Sequence, residues 1–270
     1  MLTPHIGAST VEAQRSVAVD VCRAVRDALL RGELSRSING TGITSEHWRD
    51  TQPALTLASQ LAAVGRALLA SQGARAVDRI DVSAGEELAG ARDALLAGAA
   101  LGVLSAVVAG ERLNLINARA LAGLRGIALA YTEGAVDRRE HEGTAPSHEV
   151  LVRLAAGERD ITVTGSAHPS SPARVTGIGP FHVDIHPRET LLILTNHDVP
   201  GVIGRVGTVL GAAGVNIAEY HQARLAQGGE ALAAVAVDGT IDGDAADRLR
   251  RALEAVPEVR SATVVALPGE

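Results

Sequence analysis

"NHDVPGVIGRVGTVLGAAGVNIAEYHQAR" (Asn196–Arg224) is the stretch whose pattern decides the fold of this chain. It follows Thr190 to Asn196 (TLLILTN), an apolar run of strand length. From Pro200 to Gly214 the apolar residues Val202, Val206, Val209 and Leu210 recur at helical spacing, with Pro in the first turn and Gly214 at the end. Val215 to Leu225 returns to strand character. Working outward, Gln227-Gly228-Gly229 marks a hairpin turn and Glu230 to Asp238 the returning strand. Ala245 to Val256 is a second helix, and Glu258 to Leu267 a last strand. The order β-α-β-β-α-β predicts a ferredoxin-like plan, four antiparallel strands with two helices on one face.

Upstream the pattern is mixed. Ser9-Thr10-Val11-Glu12 has the form of a capping box. The helix it opens carries Val17, Val21, Val25 and Leu29 at i, i+4 spacing, which predicts one buried stripe, and Gly32 is a plausible stop. Cys22 beside that stripe is expected to be a small buried hydrophobe. Residues 35–52 are polar and predict a connector, and Pro53 opens a helix through Leu55, Leu57, Leu61, Val64 and Leu68. Strands are predicted at 76–82, 126–132, 149–155 and 160–166, helices at 86–109 and 117–123, and a loop with an edge strand at 168–180. The fold class is therefore α+β: an N-terminal helix, a mixed α/β middle domain and a ferredoxin-like C-terminal domain.

Composition narrows the function. The 270 residues carry a formal net charge of −6 and only 1% aromatic side chains. That balance argues against nucleic acid, including a ferredoxin-like RNA-binding role, since phosphates call for cations and single strands for stacking platforms. The longest charge-free run, Ala94 to Ala109, is shorter than the ~20 residues of a membrane span and predicts a buried helix instead. One cysteine and no secretory signal predict a cytoplasmic protein. His141 and His148 have no tight ligand spacing around them, so no metal site is expected.

The loop between Asn196 and the helix suits a zwitterion. A helix N-terminus favours a carboxylate, and Asp198 can take an ammonium. The competing reading is that Asp198 only caps the helix and that Asn216 only fills an irregular backbone position. The D-x-P-G pattern, the helix and the following "GVNI" resemble the ACT domain, a small-molecule sensor of amino-acid biosynthesis. The resemblance implies an amino-acid effector, L-serine or similar, held across a dimer interface by Asn196, Asp198 and Asn216. It equally implies a homo-oligomer, dimer or tetramer, whose sheet edges pair.

With that domain at one end, "TPHIGASTVEAQ" (Thr3–Gln14) at the other resembles the histidine loop of the D-3-phosphoglycerate dehydrogenase family, NAD-dependent enzymes of serine biosynthesis. "RGELSRSIN" (31–39) resembles the exit from that family's substrate domain, and Gly102–Ile127 its long-form intervening domain. The resemblance implies that His5 is the general acid/base, taking the C2 hydroxyl proton of 3-phosphoglycerate while hydride passes to NAD, a role imidazole suits. Gly7 and Ala8 match backbone positions beside the nicotinamide, and Arg174 resembles a basic residue lining an anion site, against a reading as a surface arginine with no role. It also implies domains of 1–34 (catalytic-domain remnant), 35–187 (intervening) and 188–270 (ACT).

The chain departs from the family where the coenzyme should bind. No G-x-G-x-x-G follows a strand, and "GIGP" (177–180) and "GVIGRVG" (201–207) lack the full fingerprint and its acidic partner. Two expectations follow. Either the chain is the regulatory, C-terminal portion of the dehydrogenase, inactive alone and completed by a separate N-terminal catalytic fragment, or it is a free-standing amino-acid-binding and oligomerisation module. Whether the chain is an enzyme is left open between them.

Overall fold

A computed structural model describes residues 9–31, 45–108, 113–133 and 148–268. Among them are six α-helices, α1 (Val11–Arg31), α2 (Ser45–Ser71), α3 (Arg92–Leu104), α4 (Ala118–Leu124), α5 (Val202–Ala212) and α6 (Gly243–Glu254). A 3₁₀ segment (Glu86–Ala91) leads into α3. The first sheet uses β1 (Arg79–Ala84), β2 (Ala128–Glu133), β3 (Glu149–Ala156), β4 (Arg159–Ser166), β5 (Arg174–Ile178) and β6 (Phe181–Ile185), in the order β2-β1-β3-β4-β5-β6. Only the β1–β2 pair is parallel, and α3 and α4 lie in its crossover.

Helices α2 and α3 pack on one another against this sheet, and small residues set their spacing. A Cβ on Gly98 would come within 2.7 Å of the Leu55 carbonyl oxygen, and one on Gly102 would overlap the Ser59 carbonyl. The charge-free run read from sequence is thus a buried helix whose glycines admit the backbone of α2. Helix α2 is long and apolar enough to cross a membrane by composition, yet 72% of its most apolar window is buried inside the fold.

The second sheet uses β7 (Thr190–His197), β8 (Ile217–Arg224), β9 (Glu230–Val237) and β10 (Val259–Ala266), ordered β10-β7-β9-β8 with every pairing antiparallel. This is the predicted ferredoxin-like arrangement, with α5 and α6 on one face. Both of its faces are covered. Leu192 and Leu194 of β7, with Ala233, Val235 and Val237 of β9, face α5 and α6. The alternate residues Leu191, Ile193, Leu232, Ala234 and Ala236 join the core that α2 and the first sheet share. Burial on both faces is why β7 and β9 are continuous apolar runs instead of alternating ones.

Several expectations are corrected. The stripe of α1 is present but exposed: Val21 is 55% and Leu29 80% accessible, and α1 has no substantial packing against another described element. Periodicity marks an amphipathic face without saying what covers it. Cys22 on the same helix is exposed, not buried. Thr10 caps the helix, its Oγ1 accepting from the Ala13 N–H at 3.2 Å, so the cap falls one residue later than Ser9. Helix α2 starts at Ser45, inside the expected connector, with Pro53 in its interior. The 168–180 region holds its one strand, β5, but not at the edge: β6, for which no strand is predicted, pairs on its outer side through a turn at Gly179, φ 55°. The helix predicted from Pro200 begins at Val202, because Gly201 caps it with a left-handed backbone, φ 89°.

Candidate functional site

Residues 196–201 leave the end of β7 and climb to the first turn of α5. Asn196 is buried on β7, its Nδ2 donating to the His197 carbonyl at 2.8 Å. Asp198 stands in the loop, tied down by its backbone N–H donating to the Gly229 carbonyl at 2.9 Å. Its Oδ2 accepts from the Gly228 N–H and from Arg224 Nη1, each at 3.2 Å. These donors, first the Gly228 amide and then the Arg224 guanidinium, hold the Asp198 carboxyl below its ordinary range. Among the described residues both contacts use Oδ2, and Oδ1 has no partner. Asp198 is not the N-cap of α5; that position is Gly201, without a side-chain cap bond.

In the first turn of α5 the Val202 N–H donates to the Val199 carbonyl at 3.5 Å, while the Ile203 and Gly204 N–H groups have no acceptor among the described residues, which is where an anion is favoured. Arg205 lies over it, its guanidinium close to Gly201 and paired with Glu258 at 2.8 Å. An amino acid placed here meets backbone donors and Arg205 on one side and an open carboxylate oxygen on the other.

Asn216 is elsewhere. It precedes β8, exposed, with Nδ2 donating to Asp238 Oδ2 at 2.6 Å and its carbonyl accepting from the Asp238 N–H at 3.1 Å. Asn196 pairs with Ala231 at the start of β9, whereas Asp238 follows its far end. Seven residues at about 3.3 Å each separate the two groups by about 23 Å. The structure brings Asn196 and Asp198 together and leaves Asn216 at the opposite end of the sheet. His5, Gly7 and Ala8 lie outside the described residues, as does His141. His148 contacts Glu87 and His168, and no cluster of metal-binding side chains occurs among the described residues.

Partners that sequence reading missed complete the picture: Arg224 and Gly228 at Asp198, Asp238 at Asn216, Arg205 at the helix start. Arg224, Gly228 and Asp238 are brought in by strand register or by a turn, for which spacing along the chain carries no signal, whereas Arg205, four residues past Gly201, is placed by helical spacing. Arg174 is neither a free surface residue nor an open anion site. It bridges the two sheets, bonding Asp184 at 2.6 Å and Glu219 at 2.5 Å.

The described residues do not fit NAD. The parallel β1–β2 pair is the one connection with coenzyme-cradle topology among them, and the turn after β1 reads Gly85-Glu86-Glu87. Two carboxylates and a single glycine sit where a pyrophosphate would need close, positive backbone.

The fold is of the ferredoxin-like class, and residues 190–254 match the ACT domain family. Beyond that domain, the chain is 32% identical over 269 residues to the D-3-phosphoglycerate dehydrogenase of Synechocystis, covering 99% of this chain and 46% of that protein. It is 30% identical over 265 residues to the enzyme of Mycobacterium bovis (94% and 46%) and 26% over 266 residues to that of Bacillus subtilis (98% and 48%). The chain is thus homologous to D-3-phosphoglycerate dehydrogenases along almost its whole length, with an ACT domain at its C-terminus. It spans about half the length of these relatives.

Proposed function

We propose that these residues form the regulatory portion of a D-3-phosphoglycerate dehydrogenase and sense L-serine through the ACT domain. The observation that carries this reading is Asp198: a carboxylate held ionised by Gly228 and Arg224, with one oxygen open, beside the unbonded Ile203 and Gly204 N–H groups of α5. Such a pair of poles suits a small zwitterion. Asn216, about 23 Å away within one chain, reaches the site only from a second copy related by a two-fold axis. The reading therefore requires a homo-oligomer with the effector at its interface.

Oxidation of 3-phosphoglycerate with NAD, with His5 as general acid/base and Gly7 and Ala8 near the nicotinamide, is assigned to an assembly that includes a coenzyme-binding portion. These 270 residues alone are assigned no dehydrogenase activity, in keeping with the acidic turn after β1. Effector binding biases catalysis only if the less active state binds it better, a coupling typically of about 1–3 kcal/mol. The Arg174–Glu219 bridge between the sheets is a route for it.

Calorimetric titration with L-serine, glycine and L-alanine tests the sensor. Saturable heat is expected with L-serine on the wild type and none on Asn216→Ala; no heat with any amino acid would leave the domain as an assembly module. NADH formation from 3-phosphoglycerate by the purified chain would overturn the assignment of inactivity.

A further inference from the structure

Away from the ACT domain, a cavity of about 340 Å³ opens at the end of the α2–α3 layer. Its walls are apolar: Leu69 of α2, Val103 of α3 and Ile127 before β2 are among them. Three arginines line it, and among the described residues no acidic one does: Arg66 from α2, Arg75 from the link into β1, and Arg125 from the link between α4 and β2. Arg66 is the telling one. Its Nε is sealed from solvent and has no hydrogen-bond partner among the described residues. Burial pulls its pKa down, with no carboxylate among the described residues offsetting it.

Arg66 as a whole is half-buried, and a guanidinium keeps its proton there, so the sealed donor favours an anion. Leaving that sealed Nε unmatched is costly, since a polar group cut off from water without a hydrogen bond loses its hydration and regains nothing. The fork of a guanidinium matches a carboxylate in bidentate geometry. The apolar walls meanwhile favour a ligand with a hydrocarbon body, and the volume lies within the roughly 300–1,000 Å³ of small-molecule sites. Arg75 and Arg125 are both exposed, which places two further cations toward the mouth, where they draw an anion inward.

We infer that this cavity is a second ligand site, specific for a small aliphatic carboxylate whose head pairs with Arg66 and whose body lies against Leu69, Val103 and Ile127. The site is independent of the ACT loop and of the reading given to it.

The probes are hexanoate, hexan-1-ol and inorganic phosphate, titrated calorimetrically into the full chain at constant ionic strength. Hexanoate is expected to bind saturably, at least about tenfold more tightly than the neutral alcohol or the polar dianion. Arg66→Met, which keeps the length of the side chain and removes its charge, is expected to weaken hexanoate at least about tenfold. Equal binding of the alcohol would overturn the role of the arginines, and equal binding of phosphate the role of the apolar walls. Unchanged affinity in Arg66→Met, or no binding of hexanoate, would overturn the site itself. Should Arg66→Met fail to fold, Arg125→Gln at the exposed mouth serves in its place: several-fold weaker hexanoate binding is expected, and wild-type affinity would count against the proposal. Titration with L-serine in the same variants is expected to be unaltered, which separates this result from that of the ACT site.

Discussion

Arg174 on β5 and Glu219 on β8 meet across the junction of the two sheets, guanidinium nitrogen to carboxylate oxygen at 2.5 Å. Glu219 also accepts from the backbone N–H of His186 at 3.0 Å, just where the chain leaves the first sheet for the second. One carboxylate thereby ties a strand, the interdomain link and the ACT sheet together.

That arrangement fixes a pH dependence. Burial pushes the Glu219 carboxyl up, but the His186 amide and the Arg174 guanidinium outweigh it and hold it below its ordinary value. A depressed folded-state pKa contributes stability above the unfolded value of about 4.3, lost as pH falls through the folded value. Glu219→Gln is expected to flatten the acid limb of a stability–pH curve below about pH 4. At neutral pH it is expected to cost about 1 kcal/mol, a modest figure because both partners are about a third exposed. Thermal melts from pH 3 to 8 on both proteins check this.

The separation of Asp198 from Asn216 predicts complementation in trans. Asp198→Asn and Asn216→Ala are each expected to lose L-serine binding. Unfolded, mixed in equal amounts and refolded together, they should regain about a quarter of wild-type sites, since half of random dimers are mixed and each holds one intact site. Calorimetric stoichiometry measures this, and no recovery on mixing would place both residues in one chain's site or in none.

The close approach of α3 to α2 predicts strong asymmetry among glycines. Gly102→Ala drives a methyl into the Ser59 carbonyl and is expected to cost about 3 kcal/mol or more. Gly123→Ala on α4 meets nothing within 4 Å and is expected to be neutral or stabilising by up to about 1 kcal/mol. Urea unfolding of the two variants makes the comparison.

Two-sided burial of β7 predicts that neighbouring residues are equally intolerant. Leu191→Ala and Leu192→Ala point to opposite faces, yet each is expected to cost about 2–5 kcal/mol. A tolerant Leu191 would mean that the ACT sheet does not share a core with the first sheet. By contrast Val21→Ser on α1 is expected to stay within about 0.5 kcal/mol, because its side chain is already largely in water.

Much of this was legible along the chain. The six elements of the C-terminal domain, the hairpin at 227–229 and the Asn196–Asp198 loop follow from periodicity, turn residues and helix-end chemistry, all set by neighbours within a few positions. The Pro200 start was misplaced by two residues because Gly201 takes a left-handed backbone that spacing does not reveal. The β6 strand (FHVDI) alternates cleanly in burial, but the Pro- and Gly-rich stretch before it obscured the hairpin.

Local pattern thus settled the order of helices and strands and the chemistry offered at the β7–α5 loop. It could not say that the second face of the ACT sheet is buried, that the valine stripe of α1 is bare, that Arg174 clasps Glu219, or that Arg66 lines an apolar cavity. Each of those depends on residues tens of positions apart arriving at the same place. A side chain's period is written by its nearest neighbours, whereas its burial and its charge partners are decided by whichever distant element packs against it.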